Sequence, residues 1–342
     1  MKVSVITPCR NEAPHVDAFV ASVLAQRLPP GVELEVVVAD GASDDGTRER
    51  LAALAAADAR LRWIDNPARI TPVALNRAIA AAVGEVVVRM DVHTTYADDY
   101  VAECVRALRE TGADCVGGPW RPVADPAGGA VAAAIAAAFG SRFGSGGAAS
   151  RRLDHSGEVD TVYLGAWPRA LLQRIGGFDE TLVRNQDDEL ALRIVRGGGR
   201  VWQSAAIRSW YVPRASYGAL FRQFWQYGYW KVAVIRKHRL PAAPRQLVPF
   251  AFVALLAAAA LVSPFWPPAG FAGLAALSVY ALAALSAAAA VSPPRGGVAR
   301  WLGTAWAFAC MHAGYGTGFA AGLWDGLWRR RGPGTRATGL TR

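Results

Sequence analysis

Acidic residues all but vanish from the last 153 positions of this 342-residue chain. After Glu189 the only acid is Asp325, whereas residues 1–189 hold 26 Asp/Glu against 19 Lys/Arg. From Leu190 to Arg245 there are 11 Lys/Arg and no acid, and the formal net charge is +10. A basic belt without acids argues for an anionic partner, either a membrane surface or a phosphorylated ligand. Nucleic acid is not expected, because the belt runs into apolar segments and not into a nucleic-acid module. Cysteine is scarce as well. Cys9, Cys104, Cys115 and Cys310 share no metal-ligand spacing, which fits buried thiols in a reducing compartment. No signal peptide is visible, since Met1-Lys2 leads straight into an alternating pattern; the N-terminal part is expected in the cytosol. No G-x-G-x-x-G follows the first strand pattern, which counts against a dinucleotide-dependent oxidoreductase.

The first hundred residues alternate between two periods. Val3–Thr7, Glu33–Ala39, Leu61–Ile64 and Glu85–Met90 are short runs rich in β-branched residues and predict strands. Helical stretches lie between them. In Thr71–Ala82, for instance, Thr71 is the expected N-cap and Pro72 suits the first turn. This order predicts a mostly parallel α/β sheet with its ligand site beyond the carboxyl ends of the strands. Pro8 to Glu12, Asp40 to Asp45 and Asp91 to Thr95 should then converge on one crevice. Ala130–Phe139 is too short to span a bilayer and reads equally as a buried or a membrane-facing helix. Gly140 to Arg152 reads as a mobile loop.

Beyond Arg245 the chain changes character. Leu247–Val262 and Ala269–Val291 are almost wholly apolar, with Pro264, Pro267 and Pro268 between them. Trp301–Trp324 is a third stretch, with Gly314, Gly318 and Gly322 spaced by four on one helix face, where backbones can pack closely in lipid. All three are candidates for membrane spans. Trp301, Trp324 and Trp328 suit anchoring at the interface. Three spans would carry Arg329, Arg330, Arg331, Arg336 and Arg342 away from the cytosol, against the positive-inside tendency. One stretch is therefore expected to lie in the interface or to re-enter.

Three clusters carry chemistry. Asp91 and His93, two apart at a strand end, point the same way and can hold a divalent metal against a diphosphate. Taken alone, a helix N-cap beside a surface histidine explains them too. Asp40-Gly41-Ala42-Ser43-Asp44-Asp45 suits a base and ribose, or a plain turn. Asn185-Gln186-Asp187-Asp188-Glu189-Leu190 places three acids ahead of a helix, either as favourable N-terminal charge or as a source of a general base.

Val5-Ile6-Thr7-Pro8-Cys9-Arg10-Asn11-Glu12, the Asp40-Gly41 cluster, Asp91-Val92-His93, Gly176-Gly177-Phe178-Asp179-Glu180 and the acidic run occur in that order. Together they resemble family 2 of the inverting glycosyltransferases, which have the GT-A fold. Arg89-Met90-Asp91-Val92-His93, Asp160-Thr161-Val162, Arg184 to Leu190 and Arg222 to Gly228 look more narrowly like succinoglycan-type exopolysaccharide enzymes, which transfer β-glucosyl groups to lipid-linked oligosaccharides. The resemblance implies that Pro8, Glu12 and Asp40 hold uridine, with Ser43 close by. It implies that Asp91 carries Mg²⁺ or Mn²⁺, with His93 where the common pattern has a second Asp. The base falls on Asp187, with Asp188 as the neighbouring alternative, because Leu190 and Arg193 keep the family register. Arg222, Gln223, Trp225 and Tyr227 resemble a Gln/Arg/Trp motif on the acceptor or diphosphate side.

The expected organisation is a GT-A domain over 1–230, a basic juxtamembrane linker over 231–246, two to three apolar transmembrane helices over 247–328 and a basic tail over 329–342. The expected partners are a UDP-sugar, a lipid-linked saccharide acceptor and a bacterial-type inner membrane, with the catalytic domain facing the cytoplasm. A polyprenyl-phosphate sugar synthase and a non-catalytic membrane-bound nucleotide-sugar-binding protein are the rival readings.

Overall fold

The computed structural model describes residues 1–326 and 335–339. In chain order the elements are β1 Lys2–Cys9, α1 Val16–Leu24, β2 Glu33–Asp40, α2 Thr47–Ala57, β3 Leu61–Asp65, α3 Thr71–Ala81, β4 Val86–Arg89, β5 Thr94–Tyr96, α4 Tyr100–Thr111, β6 Cys115–Gly118 and β7 Arg121–Pro122. They continue with α5 Gly129–Gly140, β8 Gly157–Glu158, β9 Tyr163–Pro168, α6 Arg169–Ile175, α7 Gln186–Arg196, β10 Val201–Gln203, β11 Ser209–Tyr211 and α8 Tyr217–His238. The last are α9 Val248–Val262, α10 Pro267–Val291, α11 Val298–Trp324 and α12 Thr335–Thr338. Trp328 and the tail residues Arg329, Arg330, Arg331 and Arg342 lie outside the described residues, as does the side chain of Arg336.

The chain forms two compact units. Residues 1–121 and 152–211 make the first; residues 122–151 and 212–342 make the second. The expected boundary at 230/231 falls inside α8, which runs unbroken through it, so the start of the expected linker is helix.

The first unit is built on an eight-stranded sheet of order β3-β2-β1-β4-β9-β6-β10-β8. Only β9 and β8 run against the rest, so the sheet is mostly parallel, as expected. Residues along its strands are buried on both faces, as a helix-covered parallel sheet requires. Val3, Val5, Val36, Val38 and Val88 pack with Phe19, Val20, Tyr100 and Val101 on one face. Ile6, Val37, Ala39 and Val87 pack with Leu75, Ile79, Leu172 and Leu190 on the other. Strand order reverses at β1: the chain steps outward through β2 and β3, then returns to place β4 on the other side. A ligand crevice is expected at such a switch point, beyond the strands' carboxyl ends. One local expectation changes. Helix α3 is capped at Ile70, with no side-chain cap bond, and Thr71 already lies inside the helix.

In the second unit α11 packs against α8 and α5. Its glycines are the reason backbones can approach: a Cβ at Gly318 would lie 2.0 Å from the Trp225 carbonyl oxygen, and one at Gly228 equally close to that of Tyr315. Gly314 and Gly322 face Phe221 and Tyr229 in the same seam. The segment around Ala130–Phe139 is α5, with Ala134, Ile135, Ala138 and Phe139 buried; the buried alternative is the one realised. Gly140 to Arg152 is a chain of hydrogen-bonded turns, closed by a 3-10 turn at Ala149–Arg151. Pro244–Val262 and Pro267–Val291 are long and apolar enough to cross a membrane. No residue of α9 is buried. Among the described residues α11 does not join that pair, despite its 27 residues, because Gly, Thr, His and Tyr dilute its apolar content.

Candidate functional site

The carboxyl ends of β1, β2 and β4 lie side by side, since Cys9 pairs with Asp40 and Ile6 with Arg89. The loops after β1 and β2 are one hydrogen-bonded assembly. Asn11 sits at φ 54°, in the left-handed region that asparagine tolerates better than most residues. From there its backbone N–H donates to Ser43 Oγ at 2.8 Å and its Nδ2 to Asp44 Oδ1 at 2.9 Å. Asp44 N–H returns a bond to Asn11 Oδ1 at 3.1 Å. Ser43 Oγ in turn donates to Asp40 Oδ1 at 2.5 Å, and Ser43 N–H to Asp40 Oδ2 at 3.1 Å. Asp40 is 0% exposed, so its carboxylate shapes the Ser43 turn from below. Pro8 is half-buried at the end of β1. Glu12 N–H donates to Thr47 Oγ1 at 2.8 Å, pinning the same loop to the start of α2.

After β4 the chain places Asp91 and His93. Strand alternation directs Arg89 and Asp91 to one side, and the guanidinium grips that carboxylate as a fork: Nε to Oδ1 and Nη2 to Oδ2, both 2.8 Å. The third arm of Arg89, Nη1, reaches Asp187 Oδ1 at 2.5 Å, across 98 positions of sequence. One buried cation therefore joins the β4 carboxylate to the acidic run. Burial disfavours the charged guanidinium, but Asp187 and Asp91 outweigh it and hold its proton above the ordinary arginine range. Arg89 stands in the resemblance motif, yet the sequence reading gave it no task. The signal was an arginine closing the otherwise apolar Val86-Val87-Val88.

Asp187 lies in the first turn of α7, where negative charge is favourable. It keeps 37% of its side-chain surface, so the carboxylate is accessible from outside. Burial and the neighbouring Asp91 and Asp188 carboxylates push it up to about 6, against the pull of Arg89. A carboxylate titrating there is well matched to taking a proton near neutrality. Glu189 lies in the same first turn, where N-terminal charge was expected, and there also has a partner within the helix. It is fully buried and bound by Arg193 Nε through both carboxylate oxygens at 2.9 Å. Arg193 also donates to Ile175 O at 2.7 Å and to Gly177 O. Asn76 holds the next residue of that turn, bonding Phe178 N–H and C=O at 2.8 Å each. The Gly176-Gly177-Phe178-Asp179-Glu180 motif is thus the anchor that sets α7, and Asp187 with it.

Three aromatic residues of the same unit escaped the sequence reading. Trp120 stacks on Tyr163, with centroids 4.8 Å apart and planes at 12°, and Tyr211 lies 5.1 Å from Trp120. Tyr163 Oη is 2.7 Å from Thr94 Oγ1, two positions beyond Val92. No periodicity could have joined residues from three separate strand ends.

Arg222, Gln223, Trp225 and Tyr227 lie on α8, in the second unit. There Gln223 Nε2 donates to Tyr227 Oη at 3.0 Å and Trp225 stacks on Tyr229 at 5.4 Å. The first unit thus brings together Pro8, Glu12, Asp40, Ser43, Asp91, His93, Asp187 and Asp188.

Among the described residues no three His, Cys, Asp or Glu side chains converge as a closed cage for a metal. A cation that arrives with a diphosphate needs only one or two protein ligands, the rest being phosphate oxygens and water. The Asp91 carboxylate, with lone pairs beyond those used by Arg89, and the half-exposed His93 imidazole supply such a donor set. They fit a cation carried in with its nucleotide.

A family model described as glycosyl transferase family 2 matches residues 4–138. The succinoglycan biosynthesis protein ExoA of Rhizobium meliloti (strain 1021) is 33% identical over 274 residues, which are 77% of this chain and 78% of that protein. Among solved structures, a mannosyltransferase from Pyrobaculum calidifontis, PcManGT, in complex with GDP-Man and Mn²⁺ has a TM-score of 0.59 at 23% identity, covering 94% of this chain and 87% of that one. TarS 1–349 of S. aureus in complex with UDP has a TM-score of 0.50 at 16% identity, covering 94% of this chain and 91% of that one. At these identities the two structures speak to the fold alone, and the fold is GT-A-like.

Proposed function

The chain belongs to glycosyltransferase family 2, and we propose that it moves a sugar, glucose first among the candidates, from a UDP-sugar to a lipid-linked saccharide. The setting is synthesis of an exopolysaccharide or another cell-surface glycan, in keeping with its R. meliloti relative, a succinoglycan biosynthesis protein. The observation that carries the reading is the Asp187–Arg89–Asp91 bridge at the carboxyl end of β4. It sets a carboxylate of suitable basicity beside the residues that would hold the donor diphosphate.

In this mechanism Asp187 takes the proton of the acceptor hydroxyl as that oxygen attacks the anomeric carbon from the face opposite the leaving group. One displacement inverts the configuration, so an α-linked donor gives a β-linked product. Arg89 holds Asp187 in place and stays protonated throughout. The loop of Pro8 to Asn11 and the Asp40–Ser43 turn form the nucleotide end of the crevice. A divalent cation, Mg²⁺ or Mn²⁺, held by Asp91 and His93 would neutralise charge developing on the departing diphosphate. Arg222, Gln223, Trp225 and Tyr227 are assigned to the acceptor or diphosphate side on the strength of their motif.

The two apolar helices support placement in a bacterial-type inner membrane, with the catalytic domain on the cytoplasmic face. Two spans return the chain to the side from which it left, which satisfies the positive-inside tendency for the arginine-rich tail. The deciding experiment is a donor screen with the purified full chain in detergent, reading UDP release and product mass. Release that depends on a lipid-linked saccharide, with the mass of one added hexose, supports the proposal. Glycosylation of the bare lipid phosphate would replace it with the polyprenyl-phosphate synthase reading.

A further inference from the structure

We propose that Glu12 is a positioning residue that fixes the ring of His93 for a divalent cation, and not a contact to uridine. The proposal rests on the reading of Asp91 and His93 as the cation-binding pair.

His93 stands where the family pattern has a second carboxylate, and the substitution creates a problem of its own. A carboxylate offers lone pairs on both oxygens. A neutral imidazole offers one, on whichever nitrogen lacks the proton. A histidine in this place therefore needs a neighbour that decides where the proton sits.

The fold provides one. His93 Nε2 lies 2.8 Å from Glu12 Oε1. A lone pair on Nε2 would face a carboxylate oxygen at that distance, so the proton belongs on Nε2. The lone pair then falls on Nδ1, as in carboxylate–histidine–metal arrangements. Glu12 is well placed to hold a ring still. It is 2% exposed, its N–H is tied to Thr47 Oγ1, and its carbonyl accepts from His15 and Val16 N–H at 2.8 and 2.9 Å, where α1 begins. His15 adds a second constraint, with its ring edge-on to His93 at a centroid distance of 5.2 Å. His93 itself keeps 49% of its side-chain surface, which leaves the ring open to a ligand.

The test separates the two roles of Glu12. The full chain in detergent is titrated with Mn²⁺ in the presence of UDP, with binding read by electron paramagnetic resonance. UDP affinity is measured in parallel in excess chelator. Glu12→Gln, which preserves volume, should weaken Mn²⁺ binding on the order of 10–100-fold while leaving chelator-state UDP affinity unchanged. His93→Ala should lose a similar factor, and adding Glu12→Gln to it should cost little more. His93→Asp restores a ligand that needs no tautomer partner, so Glu12→Gln in that background should cost nothing or even strengthen binding. A purely structural Glu12 would weaken Mn²⁺ equally in the wild-type and His93→Asp backgrounds, and that result overturns the proposal. Loss of UDP affinity in chelator overturns it too, by assigning Glu12 to the nucleotide. If His93→Ala binds Mn²⁺ as tightly as the wild type, the cation pair itself is wrong. If His93→Ala loses Mn²⁺ and Glu12→Gln does not, the pair stands and only the role of Glu12 fails.

Discussion

The two units hold their elements together differently. The first seals Val, Ile, Leu, Phe and Tyr inside two layers and pairs the few charges it buries, such as Glu189 with Arg193. In the second, glycine and alanine occupy the helix seams, while Leu261, Phe265 and Phe271 are 74%, 90% and 73% exposed. Burial in water is driven by apolar area. In lipid that drive between helices is absent, so close backbone approach and dispersion hold helices together. The contrast also separates helices within the second unit. Length groups α11 with α10, but α11 turns Gly314, Gly318 and Gly322 onto α8, whereas α9 buries none of its side chains.

The largest expected effect belongs to the first unit alone. Asp187→Asn keeps size and hydrogen-bonding shape while removing basicity, and should lower turnover by ~10²–10⁴-fold. UDP affinity should stay near that of the wild type, because the nucleotide end of the crevice is built from the β1 and β2 loops. Asp188→Asn should be far milder. A nearly active Asp187→Asn beside an inactive Asp188→Asn would move the base by one residue.

The second unit should respond to a change of solvent-facing chemistry. Leu282 is 65% exposed on α10, and arginine at the centre of a span costs about 2.5–3.5 kcal/mol on insertion scales. Leu282→Arg should shift the chain from the carbonate-resistant membrane fraction toward the extractable one. Undiminished integration would mean that α10 meets water or another protein at that face.

Within the same unit, Gly318→Ala should lower the thermal midpoint in detergent, since the added carbon has 2.0 Å to the Trp225 carbonyl oxygen. Overpacking of this kind costs about 1–3 kcal/mol. Leu274→Ala, on an exposed position of α10, should leave the midpoint nearly unchanged. Equal losses from both would erase the distinction between seam and lipid face.

Much of the first unit was legible because parallel strands and their covering helices write their period into adjacent residues. Val3–Thr7 and Glu33–Ala39 are found within the strands that bear them, and the loops after them meet as the order of strands required. What stayed hidden depends on residues far apart in sequence. The Arg89–Asp187 bridge spans 98 positions, the Trp120–Tyr163–Tyr211 cluster draws on three strand ends, and Arg193 reaches back from α7 to the carbonyls of Ile175 and Gly177. Local pattern marked Asp187, Asp188 and Glu189 as one acidic run and could not tell which acid faces the crevice. In the second unit composition located the apolar helices but not their inward faces, except where Gly314, Gly318 and Gly322 marked one.

The smallest effect is also the most direct reading of the bridge. The base must be ionised to accept a proton, so with Asp187 at about 6 turnover should fall roughly tenfold per pH unit below that value. Two neighbours act on Asp187 with opposite signs. Arg89 favours its charged form and pulls it down, while Asp188 disfavours that form and pushes it up. Removing the Asp188 charge should therefore move the acid limb of the turnover profile to lower pH, with the neutral plateau little altered. Arg89→Gln should move it the other way, to higher pH, and should also lower stability because two carboxylates lose a buried partner. Profiles of both variants, measured beside the wild type under saturating donor, give a test by sign. If both limbs move in the same direction, or neither moves, the acid limb belongs to another group and Asp187 is not the residue that takes the acceptor's proton.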